Sequence, residues 1–211
     1  MTGGDRPGSD RAGHGRRLTL TPISFDIVVA LGQLPDGLRL SPLAHAIGSP
    51  VSSVQAALRI LVSARLAERV DATPPHYRLN RASPALDHLL GLSLVQPEPA
   101  HVVAILLRAS PAVTFAVVDG GGFVAGVVHG VPGGADPPDG LLSGALDTIR
   151  ASRDDVPPVE LVEHEELARL LAVSVGLRSR IRDAIVLKGR LPTARTKRIV
   201  PEEAGARQPV R

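Results

Sequence analysis

Apolar side chains in the first third of the chain recur at intervals of three and four residues, the spacing of a buried helix face. This pattern predicts three successive helices separated by turns. The first covers Pro22–Leu34 and ends at Pro35–Asp36–Gly37, and the second ends at Gly48, where a positive φ suits glycine. The apolar positions of the three helices are Ile23, Ile27, Val28, Leu31 and Leu34, then Leu43, Ala44 and Ile47, then Val54, Leu58 and Leu61.

Each predicted helix is preceded by a short hydroxyl residue and a proline. The pairs are Thr21–Pro22, Ser41–Pro42 and Ser49–Pro50. A hydroxyl at the N-cap accepts a hydrogen bond from the first helical turn, and proline suits the first helical position because no backbone donor is needed there. The second and third helices are therefore expected to form a helix-turn-helix that begins at Ser41.

Downstream, the hydrophobic period changes to that of β-strands. Ala67–Val70 and His76–Asn80 are predicted strands, and Asp71–Pro75 between them has the composition of a loop. The expected order is three helices followed by a two-stranded hairpin.

The outward face of the third helix is polar and carries no acidic residue. Its candidate contact residues are Ser52, Ser53, Gln55, Ala56 and Arg59, and those of the hairpin are Arg69, His76 and Arg78. Short hydrogen-bonding and cationic groups suit phosphate oxygens and base edges in the major groove, so we expect these residues to contact DNA. The alternative is an amphipathic helix pair whose polar face and arginines are simply solvated.

This segment resembles bacterial winged helix-turn-helix transcriptional regulators of the MarR/ArsR type. The resemblance rests on LSPLAHAIGSPVSSVQAALRIL and LAERVDATPPHYRLN, and it covers about a third of the chain. It implies that the third helix enters the DNA major groove and that the hairpin, the wing, meets the phosphate backbone. It also implies a homodimer, because a two-fold site doubles the contacts of one winged helix.

The second half of the chain mixes helical and strand patterns. Turn residues Asp119–Gly122 separate two β-rich runs, and an eleven-residue segment rich in Gly, Pro and Asp, 130–140, follows the second run. We expect a small α+β domain. The predicted helices are Ser83–Val95, Ala100–Ala109, Leu141–Arg153, Glu163–Leu177 and Leu177–Val186, and the strands are Val113–Val118, Phe123–Val128 and Pro158–Val162.

The layout of this domain resembles the minimal nucleotidyltransferase fold. The catalytic signature of that family is a Gly-Ser turn followed by two aspartates, one residue apart, on the next strand. Here the turn is Asp119–Gly122, and the strand Phe123–Val128 has no carboxylate. No catalytic residue can be carried over, so the resemblance implies a degenerate, non-catalytic domain. His129 with Asp119 and Asp136 is an alternative metal site, although a loop role for His129 is favoured.

Composition narrows the function classes further. The 211 residues include no cysteine, which excludes disulfides and thiolate-ligated metals, and the aromatic content of 2% argues against base-stacking nucleic-acid modules. No apolar run has the length of a membrane span, and no secretory signal opens the chain, so a cytoplasmic location is expected. The net charge is +3, but residues 96–187 carry seven basic and twelve acidic side chains, whereas both termini are basic.

Together these patterns predict an α+β protein with five segments. They are a disordered arm (1–17), a winged helix-turn-helix domain (18–82), a helical linker (83–110), a small α+β domain (111–187) and a basic tail (188–211). The expected function is that of a cytoplasmic transcriptional regulator that binds double-stranded DNA as a homodimer. The second domain would bind a small-molecule or protein effector, with no catalysis, metal or cofactor. The alternatives are a nucleotidyltransferase-like enzyme and a toxin–antitoxin component, each using the winged helix for docking.

Overall fold

The computed structural model describes residues 20–95, 97–128 and 138–190. It is an α+β protein that divides into two units, Met1–Pro97 and Glu98–Arg211. Among the described residues, no single helix has the length and apolar character needed to cross a membrane. The two helices Leu86–Val95 and Pro99–Ala109, separated by a break, reach that length and apolar character only when they are counted together.

In its described residues, the first unit contains four helices and a three-stranded sheet. Its elements are α1 (Pro22–Gly32), β1 (Leu38–Arg39), α2 (Leu40–Ile47), α3 (Val51–Ser63), β2 (Ala67–Val70), β3 (His76–Leu79) and α4 (Leu86–Val95). The sheet is antiparallel, in the order β1-β3-β2. The three predicted helices and the hairpin are present, and the two-residue strand β1 is an addition to the prediction.

The core of this unit forms around α1, which packs against α2, α3 and α4. The predicted apolar stripes face inwards: Val54, Leu58 and Leu61 of α3 are each at most 1% exposed. Thr21 is the N-cap of α1, as predicted, and its backbone N–H donates to Ser24 Oγ at 3.3 Å. The stripe of α3 therefore fixes which residues of that helix point away from the core.

The predicted starts of α2 and α3 were wrong. Helix α2 begins at Leu40, because Leu38 and Arg39 pair with β3 and the chain turns from that strand directly into the helix. Ser41 and Pro42 consequently lie inside the first turn, where a backbone N–H has no helical partner and proline is tolerated. For α3 the N-cap is Pro50 itself, with φ −58° and ψ 140°, and the helix starts at Val51.

Helices α2 and α3 end with the same hydrogen-bond pattern. The Ser49 N–H donates to Ala44 O at 3.1 Å, and the Leu66 N–H donates to Leu61 O at 2.9 Å, across six-residue turns. In both turns one residue is left-handed. It is Gly48 after α2, with φ 66°, as predicted, but Arg65 after α3, with φ 59°. Only the second turn therefore places a side chain in a conformation that glycine adopts more easily.

The segment 83–110, expected to be a helical linker, is divided between the two units. Helix α4 packs against α1 in the first unit, and α5 (Pro99–Ala109) belongs to the second. Ser83 and Pro84 do not open α4, which starts at Leu86. The Leu86 N–H donates to Ser83 O at 3.1 Å, so these residues form a turn before the helix.

The second unit has a four-stranded mixed sheet. After α5 come β4 (Val113–Asp119), β5 (Gly122–Val127), α6 (Pro138–Ser152), β6 (Val159–Glu163), α7 (His164–Val173), α8 (Val175–Arg182) and β7 (Ile185–Lys188). The strand order is β6-β5-β4-β7, with β5 and β6 parallel and the other pairs antiparallel. Strands β6 and β7 are therefore the two edges of the sheet.

Apolar side chains from the central strands and two helices form one core of this unit. Phe115, Val117 and Val124 pack with Leu167 and Leu171 of α7 and with Ile181 of α8. Strand β5, predicted as an apolar core strand, is buried at every position.

The end of the second unit differs from the prediction of two helices that meet at Leu177. Ser174 Oγ accepts a hydrogen bond from the Leu177 N–H at 3.2 Å, so it caps a new helix and separates α7 from α8. The predicted helix Leu177–Val186 is wrong beyond Arg182, because Ile185 and Val186 pair with β4. Lys188, predicted as the first residue of the basic tail, pairs with Ala116 as the last residue of β7. The predicted arm 1–17 and the tail from 191 onwards lie outside the described residues.

Candidate nucleic-acid interface

Helix α3 presents the predicted polar face to solvent. Because its apolar stripe is buried, the opposite side chains must point outwards: Ser52, Gln55, Ala56 and Arg59 are exposed, and Ser53 is half-buried. The whole helix, Val51–Ser63, contains no acidic residue. This face can therefore approach a polyanion without repulsion from its own helix.

A groove lies between α3 and the β2–β3 hairpin, and we call it the α3–hairpin groove. Its volume is about 330 Å³, and its lining residues are Gln55, Leu58, Arg59, Val62, Ser63, Arg69 and Tyr77. Three predicted contact residues, Gln55, Arg59 and Arg69, are thus brought together on one concave surface. No carboxylate contributes to the lining.

The two lining arginines differ from the third arginine of the interface, Arg78, in their partners. Among the described residues, no carboxylate lies within ion-pair distance of Arg59. Arg69 is 3.7 Å from Asp71, whose side chain is 92% exposed. Arg78 instead donates from Nε to Glu68 Oε2 at 3.0 Å, directly across the hairpin. Arg59 and Arg69 are therefore more available to an external anion than Arg78.

His76 lies at the start of β3, opposite Arg39 of β1, and is half-buried. Gly37, just before β1, has φ 83°, and a Cβ there would lie 2.2 Å from Tyr77 O, so only glycine allows this strand to pair closely with β3. Strand β1 thus pairs with β3 on the side opposite β2 and positions His76.

Sequence reasoning missed three residues that line the α3–hairpin groove, Val62, Ser63 and Tyr77. It also did not consider Arg65, which is exposed in its left-handed turn after α3. The alternation in β3 could have identified Tyr77, because it places Tyr77 and Leu79 on one face and Arg78 on the other.

In the second unit, the Asp119 carboxylate and the His164 imidazole each make polar contacts with other residues of that unit. Asp119 accepts from Arg180 Nε at 2.9 Å and from the Gly121 N–H at 2.7 Å, so these hydrogen bonds lower the pKa of its carboxyl. His164 Nδ1 lies 2.7 Å from Thr114 Oγ1, which donates to Gly126 O at 3.0 Å. Within the described residues, no three potential metal-ligating side chains cluster. His129 and Asp136 lie outside these residues.

Lys188, the last residue of β7, makes its hydrogen bond to a backbone carbonyl. Its Nζ donates to Ser110 O, at the end of α5, at 2.5 Å. Burial lowers the pKa of this ammonium from 10.5 to about 8. The Ser110 hydroxyl is buried without a hydrogen-bond partner. This contact holds the end of α5 against the edge strand β7.

Comparison with known proteins gives no family. No protein-family model matches the chain, and no curated protein matches it. Among solved structures, the crystal structure of Pseudomonas aeruginosa HmgR is similar at 22% sequence identity, over 76% of this chain and 62% of that chain, with a TM-score of 0.28. This chain thus spans less than two thirds of the length of HmgR. A likeness at this level carries no functional argument, so function must be argued from the interface itself.

Proposed function

We propose that this protein is a DNA-binding transcriptional regulator whose first unit is a winged helix-turn-helix. The observation that carries the proposal is the surface of α3 and the hairpin, where Gln55, Arg59 and Arg69 converge without a carboxylate in the lining. The order of elements supports it, because a helix-turn-helix followed by a hairpin is arranged to place its second helix in the major groove.

In the proposed complex, α3 lies in the major groove of double-stranded DNA. Gln55 and Arg59 would read base edges, since an amide suits adenine and a guanidinium suits guanine. Ser52 and Ser53, near the start of α3, would donate to phosphates, and Ala56 would allow close approach of the helix. On the wing, Arg69 and His76 would contact the backbone. Arg78 would contribute less, because Glu68 already neutralises it.

The complex is proposed to be a homodimer on a two-fold DNA site. One α3 offers only a few base-reading side chains, and a second copy on the opposite half-site doubles both base and phosphate contacts. Light scattering of the free protein and of its DNA complex would measure the stoichiometry directly.

The second unit is proposed to sense an effector or dock a partner without catalysis. Strand β5 is apolar and buried, and the Asp119 carboxylate is held by Arg180, so neither is free to hold a catalytic metal. The enzyme alternative is tested by incubation with labelled nucleoside triphosphates, magnesium or manganese and candidate acceptors. A labelled product would replace this proposal with nucleotide transfer.

The direct test is selection of bound fragments from genomic DNA, followed by affinity measurement at several salt concentrations. We expect the logarithm of the association constant to fall with the logarithm of salt with a slope of about −4 to −6 per dimer. Arg59→Gln should weaken specific binding about 5- to 150-fold, the range for a side chain that reads a base edge.

Arg169→Gln is the matched control for this substitution. Arg169 is also an exposed helical arginine, but it lies on α7 and pairs with Glu166 at 3.2 Å. It should leave DNA affinity unchanged. Affinity that is independent of salt, or equal losses in the two variants, would contradict the proposed interface and favour a protein partner of toxin–antitoxin type.

A further inference from the structure

The first residue of α3 has an apolar side chain that the core does not cover. The apolar stripe of this helix extends back from Leu58 and Val54 to Val51. Val54 is 0% exposed whereas Val51 is 46% exposed, so the stripe leaves the core at the start of the helix. Burial of exposed apolar surface against a partner is favourable. Val51 is therefore a candidate for contact with an external apolar group.

Val51 lies in line with the two side chains that are proposed to read bases. Gln55 and Arg59, both exposed, follow it at intervals of four residues, which place them near one side of α3 and about 6 Å apart along its axis. Each interval covers about two base pairs, because stacked bases are about 3.4 Å apart. A recognition helix contacts base edges through its N-terminal residues, so Val51 is at the end of α3 that approaches the bases.

The base edges of the major groove include an apolar group that a valine can contact. Thymine carries a methyl group on C5, beside the polar atoms that amide and guanidinium groups bind. Cytosine methylated at C5 carries the same group in the same position, whereas cytosine and uracil lack it. The side chain of Val51 has no hydrogen-bonding atom, so the C5-methyl group is the part of a base edge that suits it.

We propose that Val51 reads the C5-methyl group of a thymine in each half-site, about two base pairs from the base that Gln55 contacts. The contact removes the exposed Val51 side chain and the methyl group from water together. The assignment rests on the proposed DNA-binding function and adds a sequence preference to it. Because methylated cytosine presents the same group, cytosine methylation at this position strengthens binding.

The probe is the tightest-binding duplex from the genomic selection, made with each thymine replaced in turn by deoxyuridine, which lacks only the methyl group. At one thymine in each half-site, the replacement should weaken wild-type binding about fourfold, the loss expected for one buried methyl group. Val51→Ala should bind the two duplexes equally, because its side chain is too short for the contact. Val51→Thr keeps one of the two terminal methyl groups, so its preference should be intermediate.

Val175→Ala is the matched control variant. Val175 is also an exposed valine that begins a helix, α8, but it belongs to the second unit. This variant should keep the wild-type preference for thymine. A second arm places cytosine or 5-methylcytosine at the mapped position, and the methyl group should strengthen binding of the wild type but not of Val51→Ala. Thermal melting checks that each variant is folded.

The two proposals fail in different ways. A lack of salt-dependent DNA binding would overturn the DNA-binding function and this assignment with it. DNA binding that tolerates deoxyuridine at every thymine would overturn the role of Val51 and leave the DNA interface standing. A thymine preference that persists in Val51→Ala would also overturn it, because another side chain would then read the methyl group. A response to thymine without one to 5-methylcytosine would support the thymine contact and overturn the effect of methylation.

Discussion

The arginines of the two units are used in opposite ways. On the second unit, Arg150, Arg169 and Arg180 each pair with a carboxylate of the same unit, and Arg180 ties α8 to the β4–β5 turn. On the first unit, Arg59 has no carboxylate partner among the described residues and Arg69 has a distant one. The positive charge of α3 is therefore not neutralised within the described residues, whereas these three arginines of the second unit form ion pairs within their own unit.

This difference explains why charge totals are a poor guide to function. The helix-turn-helix region is nearly neutral as a whole, yet on one face of it Arg59 has no carboxylate partner among the described residues and Arg69 has only a distant one. Arg78 shows that a position in the wing does not by itself make an arginine available to DNA. It was counted as a DNA contact from its position in the wing, but it lies opposite Glu68 in the hairpin register.

The largest effect is expected on α3, where a buried residue and an exposed one are adjacent. Leu58 is 1% exposed, so Leu58→Ala should lower the free energy of unfolding by about 2–5 kcal/mol. Arg59→Ala should leave stability within about 0.5 kcal/mol, because its side chain is exposed. Denaturant titration of both variants measures these effects. A larger loss of stability in Arg59→Ala than in Leu58→Ala would mean that the Arg59 side chain contributes to the fold.

Lys188 is a half-buried cation whose ammonium donates to a backbone carbonyl instead of a carboxylate. Its pKa is about 8 in the folded chain against 10.5 unperturbed, so the unfolded chain binds more protons between these values. Stability of the second unit should therefore rise with pH from about 8 to 10.5. We expect a gain of about 1–2 kcal/mol, less than the full pKa difference, because the ammonium is partly solvated and hydrogen-bonded.

Denaturant titrations of the wild type and Lys188→Met across this pH range test the expectation. The variant has no ammonium to titrate at this position, so it should lose the rise that Lys188 contributes. A Lys188→Met profile identical to that of the wild type would show that the Lys188 ammonium is as well solvated in the fold as outside it.

The ion pair of Asp119 and Arg180 tests whether a paired arginine of the second unit stabilises its fold. Asp119→Asn should lower the stability of the second unit by about 1 kcal/mol at pH 7, because the Asp119 side chain is only 12% exposed but Arg180 is 48% exposed. The lowered pKa of Asp119 makes this contribution present at neutral pH and lost as pH falls below about 4. Asp155→Asn, in an exposed pair with Arg153, should have a smaller effect.

The smallest effect is expected at the turn after α3. Arg65→Gly should raise the free energy of unfolding by about 0.5–1 kcal/mol, because the left-handed conformation costs glycine less than arginine. Gly48→Ala in the equivalent turn after α2 should lower it by a similar amount. Thermal melts of the two variants should shift in opposite directions. A destabilised Arg65→Gly would show that the Arg65 side chain contributes a contact to the fold.

Helices and strands with a strong hydrophobic period were predictable, and their ends were not. The stripe of α3 identified its buried and exposed faces because each position follows from a local repeat. The start of α2 depended on β1, a strand of two residues that has no detectable period and exists only because Gly37 lets it approach β3. Likewise, Ile185 and Val186 at the start of β7 were predicted to be helical, because their pairing partners in β4 lie about 70 residues away in the chain.

The candidate interface was predictable in part for the same reason. Gln55 and Arg59 lie on one helix face, so the sequence places them together without any knowledge of the fold. The contribution of Tyr77 and the neutralisation of Arg78 depend on how the hairpin lies against α3 and on its register. The alternation within β3 indicates the face on which Tyr77 lies, but the packing of that face against α3 and the register of the hairpin are not encoded in a short window of residues.

Strand β7 also bears on how the protein must be handled in solution. Among the described residues it is an edge strand of the sheet, and its first two side chains, Ile185 and Val186, are 69% and 57% exposed. An exposed apolar edge invites pairing with the edge of another molecule, and a lysine in the strand opposes this. Since the pKa of Lys188 is about 8, alkaline buffers remove that protection. The pH that stabilises the single molecule is thus also the pH at which β-aggregation becomes easiest.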